Sequence, residues 1–203
     1  MERPGLFQRL SLSRAFAEQV RSAAAVFFAL ILLGFVLGVF LPEGAERLAS
    51  FYTGLLSESA LTAEGSTDTF LLIFENNLFA AFLSLLFGLV PFFRLSAFPL
   101  GINAITIGAL AAYYSTEGPG LLPFLAGTLP HAPFELTALI LTCAAGLHLC
   151  RSVTDKLLRR EAPPFLQTAS ECLRAYVLLA VPLLFFASGI ETWLTPGVMA
   201  LFL

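Results

Sequence analysis

Long uncharged apolar runs alternate with shorter polar ones along this chain, and their lengths predict helices. Residues 23–41 hold about 19 residues without a charge, enough to cross a ~30 Å hydrocarbon core at 1.5 Å per residue. Pro42 ends that run. A second span is expected over residues 70–92, interrupted by Glu75-Asn76-Asn77, and a third over 97–113, with Pro99 in its first turn. Residues 121–149 are apolar but too long for one helix. Pro123, Pro130 and Pro133 break them into a short or re-entrant segment, 121–129, and a transmembrane helix that starts near 130–134 and ends at Cys150. The last span is expected over 175–193, with Pro182 inside it.

The polar stretches fill the gaps. In residues 1–22, Arg3, Arg9, Arg14 and Arg21 interleave with Leu6, Phe7, Leu10, Leu12 and Phe16. This pattern suits an amphipathic helix on the membrane surface or an ordinary solvated tail. Residues 43–69 are acidic. They carry a predicted interfacial helix over 45–56 and a turn at Glu64-Gly65-Ser66-Thr67-Asp68. Residues 151–174 read as a basic loop facing anionic headgroups. The expected architecture is all-α and polytopic: about five transmembrane helices plus a short re-entrant or broken helix. A cytoplasmic amphipathic segment, 1–22, precedes a single transmembrane domain, 23–203.

Composition agrees with a bilayer as solvent. The 203 residues are 58% hydrophobic and 12% charged, and 21 are Phe. A soluble domain carries about 25% charged residues, so most of this apolar surface must face lipid or other helices. Charge then sets the orientation. With the N-terminus in the cytoplasm, ten of the eleven Lys and Arg residues lie inside, and only Arg47 lies outside. The C-terminus and the acidic segment 43–69 are then extracytoplasmic, in a cytoplasmic (inner) membrane. The first apolar run is too long for a signal-peptide core, and Leu41-Pro42-Glu43 is no cleavage site. Cys143, Cys150 and Cys172 lie in or beside apolar stretches without CxxC spacing, as buried small hydrophobes do. No phosphate loop, dinucleotide fingerprint or basic extramembrane patch points to nucleotides or nucleic acid.

Candidate chemistry lies in the polar residues within the spans, because an ionisable side chain in hydrocarbon is costly unless paired. Leu129-Pro130-His131-Ala132-Pro133-Phe134-Glu135-Leu136 puts His131 and Glu135 four apart, on one face of a helix start. Glu75, Asn76 and Asn77, Asn103 and Glu191 complete a predicted polar cluster in the outer half of the membrane. Three readings of it stay open. The side chains tie helices together; they form a permeation site for a small solute, ion or lipid; or His131, Glu135 and Glu191 hold a metal that activates water for hydrolysis. No cofactor can be named from the residues. Gly34 and Gly38 form a GxxxG, and Gly101 and Gly108 also permit close packing.

Ile73-Phe74-Glu75-Asn76-Asn77, then Gly88, Gly101-Ile102-Asn103, Gly108, Leu129-Pro130-His131-Ala132-Pro133-Phe134-Glu135-Leu136 and Ala144-Ala145-Gly146-Leu147 together resemble the stage II sporulation protein M family. The resemblance covers roughly residues 15–200. Ala104 and Ala132 stand where the family usually has glycine. The resemblance implies an integral membrane protein with about five spans. The name-giving member acts in engulfment with a partner membrane protein and a cell-wall hydrolase. It implies Asn76, Asn77, Asn103, His131 and Glu135 as the polar set. The expected function is a non-enzymatic organiser or anchor of cell-envelope machinery, working as a homo-oligomer with other membrane proteins or envelope enzymes in the lipid bilayer.

Overall fold

The computed structural model describes residues 12–59, 66–161 and 163–202, with only the backbone of 52–59. Among the described residues every regular element is helical. In chain order they are α1 (Arg14–Phe40), α2 (Pro42–Ser59), α3 (Thr67–Leu86, prolonged by a 3-10 turn to Leu89), α4 (Ala97–Thr116), α5 (Leu121–Thr128), α6 (Ala132–Leu157), α7 (Phe165–Ala175), α8 (Val181–Gly189) and α9 (Thr195–Met199). Two π turns, Tyr176–Ala180 and Ile190–Leu194, join α7, α8 and α9 into one continuous helical run. Among the described residues five stretches are long and apolar enough to span a bilayer: α1, α3, α4, α6 and the α7–α9 run. The protein is thus all-α and polytopic, with α5 as the short broken helix before α6.

Several boundaries differ from the pattern-based expectation. The first span begins at Arg14, because Leu12, Phe16, Ala23 and Phe27 form one buried stripe while Arg14 and Arg21 face outward. The surface-helix reading of 1–22 thus joins the first span from Arg14 on, and its earlier residues, 1–11, lie outside the described residues. Of the expected 64–68 turn, Glu64 and Gly65 also lie outside the described residues, while Thr67 and Asp68 are already the first turn of α3. The predicted basic loop 151–174 is mostly helix: α6 continues to Leu157 and α7 starts at Phe165. Arg159, in the left-handed region with φ 53°, ends α6, and the Arg160 N–H donates to the Asp155 carbonyl.

The chain divides into two compact units. The first takes the described part of Met1–Val26 with Leu78–Leu100 and Leu136–Leu183. Its core comprises Leu12, Phe16, Leu141, Ala145, Leu149, Cys172 and Ala175. α6 is the most enclosed span: 67% of its most apolar stretch is buried, against 28% or less for the other four. Gly146 makes that possible, since a Cβ there would overlap the Ser84 carbonyl and the Ser96 side chain.

The second unit takes Phe27–Asn77, Gly101–Glu135 and Leu184–Leu203. Here α1 and α4 touch backbone to backbone. A Cβ on Gly34 would strike Ile105, one on Gly108 would strike Ile31, and one on Gly38 would strike Ala112. The GxxxG of α1 is therefore a seam of small residues, as helices packing in lipid use. Phe70 stacks on Trp193 at 5.2 Å and meets Phe185 edge-on at 5.2 Å, locking α3 to the last span. Gly127 of α5 faces Met199 of α9.

Candidate functional site

Pro130 and Pro133 dictate how the second unit builds its polar site. Pro133 sits in the first turn of α6, where its missing N–H has no partner to lose. The His131 carbonyl accepts the N–H groups of Phe134 and Glu135 at 3.0 and 3.2 Å, which makes His131 the cap of the helix. Glu135 lies one turn on, and its Oε2 is 3.8 Å from His131 Nε2.

The last span supplies the other half. Within the second π turn the backbone is wider than an α-helix, a feature that recurs at functional sites. It carries Glu191, whose carboxylate joins His131 and Glu135 so that one ligand atom from each lies within 4.8 Å of the others. Thr195 follows one turn later. Its hydroxyl donates to the Ile190 carbonyl at 3.2 Å and lies 3.3 Å from His131 Nδ1. In the tautomer in which Thr195 accepts from Nδ1–H, Nε2 keeps its lone pair on the side of the carboxylates. Ser188 and Thr192 flank Glu191 with buried hydroxyls that have no hydrogen-bond partner among the described residues.

The other predicted residues stand differently. Glu75 and Asn76 are exposed on α3 and have no polar partner among the described residues. Asn77 is half-buried. Asn103, also half-buried, is engaged by its neighbours.

The first unit holds a second histidine–carboxylate pair that the sequence pattern did not suggest. His148 Nε2 lies 3.4 Å from Glu171 Oε2, and both side chains are under one-tenth exposed. Glu171 Oε1 accepts the Ser13 N–H. Ser13 in turn caps α1, its Oγ accepting the Phe16 N–H at 3.1 Å. The Phe16 ring meets the His148 ring edge-on at 6.0 Å. The available signal was the spacing of Thr168, Glu171, Cys172 and Ala175, which form the buried stripe of α7.

The family model of stage II sporulation protein M matches residues 23–196. An uncharacterized protein of Methanocaldococcus jannaschii is 29% identical over 130 residues, which span 62% of this chain and 70% of that one. No solved structure matches the chain.

Proposed function

This chain belongs to the stage II sporulation protein M family, and we propose that it is a non-enzymatic organiser of cell-envelope machinery that assembles with copies of itself in the membrane. The observation that carries this is the exposed face of α3. Leu72, Phe79, Phe82 and Leu86 form an outward stripe at helical spacing, and Glu75 and Asn76 interrupt it well inside the span. A charged residue near a helix centre in lipid costs about 2.5–3.5 kcal/mol on insertion scales. A second helix laid on this face supplies hydrogen bonds worth about 0.6–2 kcal/mol each and removes the polar groups from lipid. A second copy is the simplest occupant, since a twofold axis sets the same face against itself.

The resemblance to a family whose name-giving member works beside a membrane partner and a cell-wall hydrolase supports the organising role. The Lys and Arg distribution supports an N-terminus in the cytoplasm and a C-terminus outside.

The test is cross-linking of full-length protein in lipid vesicles through Phe79→Cys. Cross-linked dimers are expected, and they should disappear when Glu75→Leu and Asn76→Leu are added. A Phe79→Cys protein that stays monomeric at high protein-to-lipid ratio would overturn the reading.

A further inference from the structure

We propose that His131, Glu135 and Glu191 bind one divalent transition-metal cation of the Zn2+ class, with Thr195 fixing the imidazole that faces it. Three independent observations converge. The first is donor geometry. One nitrogen and two carboxylate oxygens, from α6 and the last span, already lie within 4.8 Å of one another. Ligands at about 2.0–2.2 Å around a tetrahedral Zn2+ stand roughly 3.4 Å apart, a spacing reached by small side-chain rotations.

The second is the tautomer. The Thr195 hydroxyl reaches the Ile190 carbonyl at 3.2 Å and stands 3.3 Å from His131 Nδ1, so in the tautomer protonated at Nδ1 the Nε2 lone pair faces Glu135 Oε2, 3.8 Å away. In that tautomer two acceptors face each other across a gap that a cation can fill. A ligating histidine whose other ring nitrogen is hydrogen-bonded is the usual arrangement at metal sites.

The third is charge balance. Of the eleven Lys and Arg residues only Arg47 falls in the second unit, on α2, whereas Glu135 and Glu191 come together there. No described ion pair gives either carboxylate a Lys or Arg partner. Two half-buried carboxylates with no Lys or Arg partner are matched either by protons or by a bound cation. The imidazole nitrogen selects against Ca2+ and Mg2+, which take oxygen shells, and three protein ligands leave a fourth position open.

The experiment uses full-length protein in lipid nanodiscs, stripped with chelator and then dialysed against Zn2+. About one Zn2+ per chain is expected. It should be lost in His131→Gln, Glu135→Gln and Glu191→Gln, held ten- to a hundredfold more weakly in Thr195→Val, and retained in His148→Gln. Unchanged zinc in the three ligand variants, or no zinc in folded wild type, overturns the proposal. Co2+ gives a readout on wild type alone. Visible absorption bands of a four- or five-coordinate N,O site support the assignment, and a spectrum identical to Co2+ in buffer overturns it.

Discussion

The two units each bury one histidine against glutamate, yet the pairs differ in what they leave unanswered. In the first unit the ratio is one to one. Glu171 spends one oxygen on His148 and the other on the Ser13 N–H, so every strong acceptor has a donor. In the second unit one imidazole meets two carboxylates, and its Nδ1 stands beside the Thr195 hydroxyl instead of beside either. A closed arrangement of this kind holds helices together. An open one waits for something. The difference separates structural glue from a binding site with residue types that are the same in both.

The largest test of that contrast is truncation of the closed pair. Removing one member of a buried histidine–carboxylate pair strands the other, at about 3–5 kcal/mol where the stranded group is charged. His148→Ala or Glu171→Ala should lower the thermal midpoint in detergent by a correspondingly large amount. The double variant His148→Leu/Glu171→Leu should recover most of the loss, because no uncompensated group is left. Equal damage from single and double variants would mean that the pair matters only as volume.

The open site should answer with the opposite sign. In chelator-treated protein, Glu191→Gln removes a repulsion between carboxylates within 4.8 Å. At an effective dielectric of about 20, two ionised carboxylates 4.8 Å apart repel by about 3.5 kcal/mol. The thermal midpoint of this variant should therefore hold or rise, whereas Glu171→Gln should lower it. A fall in both would make the two sites alike and remove the contrast.

The smallest effect concerns the edge of the closed site. Ser13→Ala removes the cap of α1, about 1 kcal/mol. It should leave the backbone N–H of residue 13 on Glu171 and change the midpoint by only a few degrees. Hydrogen exchange confined to the first turn of α1 would be the accompanying sign.

These sites were unequally legible in the sequence. The spans showed because each is a run of about 20 apolar residues, a requirement of the bilayer that no tertiary context overrides. His131 and Glu135 showed because prolines isolate them in an apolar run, and Glu191 because it stands alone near a span's end. The convergence of Glu191 with the other two depends on a π turn, which leaves no mark on apolar periodicity. The His148–Glu171 pair was hidden for another reason. Arg159, Arg160 and Arg174 made 151–174 look solvated, although α7 turns its Thr168–Glu171–Cys172–Ala175 stripe inward. Glu75 and Asn76 were grouped by sequence with the polar residues of the other spans, and the outward face of α3 is where the structure puts them.

The π turn at Ile190–Leu194 also has a consequence for insertions and deletions. A π turn is an α-helix with one residue too many. Deleting a single residue inside it would restore ordinary helical pairing and leave the helix beyond it facing much as before, because the wide turn had absorbed the extra residue. Thr195 would keep its place beside His131, whereas Glu191, inside the turn, would be re-aimed, and the helix itself would gain better backbone geometry. The surplus residue is therefore a lesion from the viewpoint of the helix and a hinge pin from that of the site. A one-residue deletion there should yield a sturdier span whose Glu191 carboxylate no longer meets His131 and Glu135.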